Sequence, residues 1–449
     1  MKKKLSIKEY ILVASTLFGM FFGAGNLIYP VSMGQQAGKY TLLAAIGFCI
    51  TGVGLPLLGI ASMGLSESKG LFHMSSKVGK GFAYFFTCAL YLTIGPLFAI
   101  PRTATVSFQV GVAPLVFEQY SSIALAIFSL LFFSFVLFFS LRPSGILTWI
   151  GKVLNPLFLL FLGILIVISL LYPMGAMNAT EPIGDYIQNS LFTGFLEGYN
   201  TMDALASLAF GIILIEAIHN LGVTDSKATS LCTIKSGILS TLLMAFIYCS
   251  LAVIGSQSVS SIGVSTDGGT ALYYIAVHYF GSAGGIFLGI MITFACLKTS
   301  IGLVTACSTT FSELFPKVCS YKKCAIVFSL FSFVISNAGL GAILKFSLPV
   351  LLFLYPITIV LITLCLMGRI FHYKKSVFVC SITLTIISAF LGIIEALPSI
   401  MQEIIPFSKA FVTLYNVLPF SSIGMGWIIP ALVGFICGLF IKLRSNQVL

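Results

Sequence analysis

Charge is scarce in this sequence. Asp, Glu, Lys and Arg make up 8% of 449 residues, where a soluble domain carries roughly 25%. Acids are the scarcer sign, 13 against 24 bases. Only four histidines occur, and His73, His219, His278 and His372 all fall in loops or at the ends of apolar runs. That weighs against a histidine proton relay and against an intramembrane metalloenzyme. No GxxxxGK[ST] phosphate loop and no paired carboxylates are present, which removes ATP hydrolysis and diphosphate chemistry. The eleven cysteines include no CxxC pair and none has a histidine at metal-ligand spacing. Most sit inside apolar runs, with Cys232, Cys319 and Cys324 in or beside short basic loops, and they read as small apolar packers. No metal site and no covalent cofactor is expected, and no converging catalytic set marks an enzyme.

What the sequence does have is apolar length. Hydrophobic residues make up 58% of it. A single soluble core stops growing near ~250–300 residues, so this surplus needs a bilayer as solvent. In a bilayer the spans are helices of ~20 residues or strands of a closed barrel. The runs here are long and continuous, so the fold class is all-α and polytopic. Twelve spans can be marked, near 10–33, 40–65, 81–110, 120–141, 146–172, 191–217, 234–256, 279–311, 324–337, 346–369, 377–400 and 425–442. The first is too long for a signal peptide and no run of small residues marks a cleavage site after it. The gaps near 173–190, 257–278 and 401–424 read as loops, and no soluble domain fits between spans.

The positions of Lys and Arg then set the orientation. With the N-terminus inside, the outside loops hold only Lys39, Lys345 and Lys409 of the 24, and Arg102 and Lys298 lie within spans. The remainder fall on the inside. Both termini are therefore expected on the cytoplasmic side of the membrane, and the excess positive charge is topological, with no nucleic-acid partner implied.

A lipid-exposed helix cannot lose backbone hydrogen bonds, so breaks are tolerated only where they line a polar cavity. The first span carries Gly19, Gly23, Gly25, Asn26 and Pro30 within twelve residues. The sixth carries Gly198, Asn200, Thr201, Asp203, Ser207 and Gly211. Close helix packing through GxxxG contacts explains Gly19 and Gly23, but not Asn26, Asn200 or Asp203. If 10–172 and 191–369 are two five-helix repeats, the two clusters hold matching positions. An odd number of spans per repeat inverts the second against the first. Paired discontinuous helices at the interface of inverted repeats point to a transporter's central site. Broken ends offer free N–H groups to an anion and free C=O groups to a cation, and a zwitterionic amino acid needs both.

The stretch Gly23-Ala24-Gly25-Asn26, the run 95–108 that reads GPLFAIPRTATVSF, and the run 198–211 resemble the bacterial branched-chain amino-acid carriers of the BrnQ type. The resemblance covers nearly the whole chain. It implies uptake of leucine, isoleucine and valine driven by Na⁺ or H⁺. It also implies the leucine-transporter fold, a ten-helix inverted repeat followed by two further helices at about 377–442. Gly23, Ala24, Gly25 and Asn26 would then meet the substrate carboxylate, with Tyr91 or a neighbour on the third span. Ser207 and nearby carbonyls would meet the ammonium group, and Phe210 would wall the aliphatic side chain. Carbonyls of Gly19 and Phe22 and the hydroxyls of Thr299 and Ser300 would hold the cation.

Three charges need separate treatment. Lys298 falls in the eighth span beside Thr299, where the resemblance implies a small or apolar residue. A lysine at a helix centre costs at least ~2.5–3.5 kcal/mol on insertion scales. It reads either as a snorkelling or cavity-facing lysine, or as a fixed cation that replaces or competes with Na⁺. Arg102 and Asp203 lie ~12 Å and ~18 Å below the outer ends of their spans at 1.5 Å per residue. They are expected to approach each other as an outer gate or helix-positioning pair, or else to line a wet vestibule separately. A carrier of another small zwitterion or amine would fit the same outline. A channel would need a pore ring, and none is visible.

Overall fold

The computed structural model describes residues 5–23, 25–68, 70–142, 146–177, 180–397 and 399–441. Among them the protein is helical throughout. Seven helical stretches are long and apolar enough to cross a bilayer, and Pro156–Leu171 and Ile428–Phe440 are shorter apolar helices. The helix Ser121–Leu141 shows why these segments suit lipid. Its buried stripe includes Ser129 and Ser140 beside Phe132 and Val136, whereas Ile123, Ile127, Leu130, Phe135 and Phe138 are exposed. The outward surface is dominated by large apolar side chains, where a soluble helix would carry charged and polar ones, and the exposed Ser134 hydroxyl is satisfied by the Leu130 carbonyl.

The first segment breaks where its glycines accumulate. Ile7–Phe21 starts at Ser6, whose side chain and Glu9 form a capping box. It ends at Phe22, which turns to extended backbone, and the helix resumes as Gly25–Ala37. The sixth segment breaks likewise. Tyr186–Glu197 runs into a 3₁₀ turn at Gly198–Thr201, Met202 adopts left-handed backbone with φ 63°, and Asp203–Asn220 follows. Each broken segment packs mainly on one neighbour: Gly25–Ala37 lies along Ser226–Ile262, and Tyr186–Glu197 along Thr41–Cys49. The first contact leaves no room for side chains. A Cβ on Gly34 would stand 1.9 Å from the carbonyl oxygen of Ala252, and one on Gly255 2.3 Å from that of Val31.

The structure departs from the sequence reading at the third segment and in the long gaps. Lys80–Leu92 and Ala99–Gly111 are separated by a wider turn at Thr93–Leu97, where Gly95 leaves helical geometry and Pro96 follows. The stretch 257–278, read as a loop, is mostly helix: Ser226–Ile262 extends into it, and a new helix starts at Gly268. Asp267 is the cause, because its carboxylate accepts from the N–H groups of Gly269 and Thr270 at 2.8 and 3.0 Å. Gly281, at φ 66°, separates that short arm from the following span. The gap 173–190 contains the start of Tyr186–Glu197, and 401–424 contains most of Ser399–Ile404 and all of Ser408–Val417.

Candidate functional site

The two breaks meet in the middle of the bundle. They enclose a cavity of about 40 Å³, room for about three water molecules at ~10–15 Å³ each. The first segment contributes Met20, Phe21, Gly23, Gly25 and Asn26, and the sixth contributes Thr201, Met202, Asp203, Ala206 and Phe210. Ile94, Ala99, Arg102 and Thr103 close it from the third segment, and Thr299 and Leu303 from the eighth.

A buried carboxylate ties the breaks together. Asn26 Nδ2 donates to Asp203 Oδ2 at 2.6 Å and also contacts the hydroxyl of Tyr248. Tyr248 in turn donates to Asp203 Oδ2 at 3.0 Å. The other end of the Asn26 amide accepts the N–H of Gly23 at 2.9 Å, which holds the unwound turn in shape. Asp203 opens a helix, and the positive end of the helix dipole favours a carboxylate there. The first N–H groups of Gly25–Ala37 have no partner inside their own helix, and Gly25 and Asn26 line the cavity.

Arg102 serves the opposite kind of helix end. It is 5% exposed. Its guanidinium donates to the Tyr29 hydroxyl at 2.9 Å, to the carbonyl of Asn200, and to that of Thr201 at 3.4 Å. Those carbonyls finish the first half of the sixth segment, the negative end of its dipole. Gly25 packs close beside it: a Cβ there would lie 2.9 Å from Arg102 Nη2, and the guanidinium would have to shift. Among the described residues no ion pair joins Arg102 to Asp203, and the direct pairing expected from their depths does not form in this conformation. Each charge is held by a helix end and neutral partners instead. Glu197, not anticipated from the sequence, accepts from Asn200 Nδ2 at 3.1 Å on the same turn.

Of the other expected residues, Gly23, Gly25, Asn26 and Phe210 line the cavity, and Ala24 lies outside the described residues. Ser207 does not line it. Helical period puts Asp203, Ala206 and Phe210 on one face and turns Ser207 away. Its hydroxyl donates to the Ala204 carbonyl at 2.7 Å, and it packs on Gly59, where a Cβ would stand 2.0 Å from Ser207 Oγ. Tyr91 is also displaced. Its hydroxyl donates to the Ala209 carbonyl at 3.3 Å, while the irregular turn after it presents Ile94 and Ala99 to the cavity. Ser207→Ala should therefore leave the leucine uptake that the resemblance implies within about twofold. Ser207→Leu should instead lower the amount of folded protein, because overpacking costs ~1–3 kcal/mol. Fluorescence-detected size exclusion together with uptake separates these outcomes; folded Ser207→Leu protein with a raised KM would restore Ser207 to the substrate site.

The expected cation residues divide. Gly19, Phe22 and Thr299 line a crevice of about 20 Å³ with Phe18, Phe158 and Lys298. Thr299 borders both cavities, and its hydroxyl donates to the Ala295 carbonyl at 3.1 Å. Ser300 is turned toward the third segment, where its hydroxyl is bonded to that of Thr103. Lys298 makes no ion pair among the described residues. Thr103 and Met202 border the cavity and Tyr248 is hydrogen-bonded to Asn26 and Asp203, and the sequence reading did not single them out as site residues. The one signal for Tyr248 was a phenol in mid-span, which needs a hydrogen-bond partner when buried.

The family model described as "Branched-chain amino acid transport protein" matches residues 6–445. The chain is 49% identical over 437 residues to the branched-chain amino acid permease BrnQ of Lactobacillus delbrueckii subsp. lactis, covering 97% of each chain. It is 43% identical over 448 residues to the BrnQ permease of Bacillus subtilis, covering 100% of each. With that of Escherichia coli K12 it shares 35% over 435 residues, 96% of this chain and 95% of the relative. Among solved structures it is similar to inward-facing Mhp1, with TM-score 0.62 and 12% identity, covering 96% of this chain and 90% of that one. MhsT in complex with L-phenylalanine gives TM-score 0.57 and 16% identity, covering 98% and 100%. These structural likenesses place the bundle in the leucine-transporter fold. The protein is an all-helical, multi-pass membrane protein, and it belongs to the branched-chain amino acid transport protein family, a family of transporters.

Proposed function

We propose that the protein imports leucine, isoleucine and valine, coupled to Na⁺ or H⁺, through the cavity between the two helix breaks. The observation that carries this is the complementarity of the break to a zwitterion. The N–H groups that open the helix at Gly25, which have no partner within that helix, lie beside Arg102, and the Asp203 carboxylate lies across the same cavity. The substrate carboxylate faces Gly23, Gly25, Asn26 and Arg102, and the ammonium group faces Asp203. Met20, Phe21, Ile94 and Phe210 wall the aliphatic side chain. At about 40 Å³ the cavity is smaller than an amino acid, so the helices around it must separate for loading.

The twelve-span arrangement, with inverted repeats at about 10–172 and 191–369, two further helices and both termini cytoplasmic, is part of this reading. Its support is the matched packing of the first segment on Ser226–Ile262 and of the sixth on the second, pairs that exchange under a five-helix repeat. The cation belongs in the crevice of Gly19, Phe22 and Thr299, where Lys298 either competes with Na⁺ or stands in its place.

Purified protein in proteoliposomes tests both parts. Labelled leucine should accumulate under one of two gradients, Na⁺ or pH, imposed separately. Isoleucine and valine should compete, since an apolar pocket discriminates one methylene by only ~1–3 kcal/mol. Lysine and glutamate should not. Accumulation under neither gradient, or inhibition by lysine equal to that by valine, refutes the reading. Uptake that follows Na⁺ excludes Lys298 as the permanent occupant of the crevice.

A further inference from the structure

A second cavity is much larger than the central one. A pocket of about 450 Å³ lies between Tyr186–Glu197, Lys375–Ala396 and the connection before Ile428–Phe440. It is at the end of the bundle that the Lys and Arg distribution assigns to the outside. A backbone strap fixes its position: Ile183 N–H donates to the Gln36 carbonyl at 2.9 Å, and Lys39 pairs with Glu181 at 2.7 Å. Gly184, the next residue, already lines the pocket.

Its chemistry is one-sided. Asp185 and Glu395 both line it, and no Lys, Arg or His does. Neither carboxylate has an ion-pair partner among the described residues. Phe192, Tyr415 and Trp427 supply aromatic walls and Leu352 an aliphatic one. Tyr415 is 5% exposed and Trp427 9%, so these rings are fixed parts of the wall. The volume falls in the ~300–1,000 Å³ range of small-molecule sites. Carboxylates combined with aromatic faces attract an organic cation by charge and by cation–π contact. A bare metal ion would make no use of the rings. A zwitterion would bring a carboxylate with no cationic side chain to meet it, so the pocket does not duplicate the central site.

We propose that this pocket is a second ligand site, selective for an organic amine or quaternary ammonium ion with an apolar body. Its wall is the first half of the sixth segment, whose last carbonyls, at Asn200 and Thr201, are held by Arg102 at the central cavity. A ligand here braces that half-helix against Lys375–Ala396.

Equilibrium dialysis of labelled phenethylamine against the purified full-length protein in nanodiscs, with leucine in excess, tests the site. The expected result is saturable binding of about one molecule per chain, undisturbed by leucine and not displaced by phenethyl alcohol. The double variant Asp185→Asn, Glu395→Gln should bind at least fivefold more weakly while eluting as the same folded species, since both residues are exposed. Absence of saturable binding, displacement by leucine, equal displacement by the neutral alcohol, or unchanged affinity in the variant would each overturn the proposal. The assay needs no transport, so it stands apart from the uptake experiment.

Discussion

Asp203→Asn is expected to reduce leucine uptake at least ~30-fold while leaving the protein folded in the membrane. The substitution keeps the shape of the side chain and an oxygen for Asn26 Nδ2 and the Tyr248 hydroxyl, both of which bond Asp203 Oδ2. It removes only the charge. In the proposed site that charge is the partner of the substrate ammonium, in a cavity where the carboxylate is 2% exposed. Truncating one member of a buried, hydrogen-bonded charge pair costs ~2–5 kcal/mol or more, and 1.4 kcal/mol is tenfold at 25 °C. The loss should appear as a raised concentration for half-maximal uptake, with a size-exclusion profile like that of the parent. Asp203→Leu is the contrasting variant. It strands the Asn26 amide and the Tyr248 hydroxyl and should cost folded protein as well. Uptake by Asp203→Asn within threefold of the parent would remove Asp203 from the ammonium site.

The residues that made these arguments possible were unevenly legible in the sequence. The membrane class followed from composition, and the two breaks followed from Gly, Asn and Asp in runs where lipid tolerates none of them without a cavity. Gly23, Gly25, Asn26, Asp203 and Phe210 were singled out this way or through the family resemblance, and in the structure all five border the cavity. Ser207 and Tyr91, singled out with them, do not border the cavity, for a geometrical reason. A one-position rotation on a helix moves a side chain by 100°, so the register must be known to that accuracy. At Ser207 the break at Met202 sets it; after Tyr91 the irregular turn at Thr93–Leu97 resets it. A left-handed residue and a widened turn leave little trace in a chain already rich in Gly, Pro and small residues. The pairing expected for Arg102 and Asp203 had a different weakness. Depth alone cannot tell whether a buried charge is met by an opposite charge or by the end of a helix.

That distinction has a measurable consequence at Arg102. Arg102→Gln leaves the carbonyls of Asn200 and Thr201 and the Tyr29 hydroxyl without their donor. An orphaned buried polar group costs ~1–3 kcal/mol, so uptake should fall at least ~30-fold and the protein in detergent should melt several degrees lower. Arg102→Lys should not rescue either property. A lysine carries a compact point charge, whereas the planar fork of arginine reaches several acceptors at once. The double variant Arg102→Gln, Asp203→Asn decides how the two charges are related. If they formed a direct buried pair, removing both would be milder than removing one, because no lone charge would remain. Here Arg102 closes the C-terminal end of one half-helix and Asp203 opens the next. Removing both leaves the carbonyls of Asn200 and Thr201 without their donor and the proposed ammonium site without its charge, so the double variant should melt no higher than Arg102→Gln and the losses in uptake should accumulate. A double variant more stable than the Arg102→Gln protein would mean that the charges pair directly in another conformation of the transport cycle.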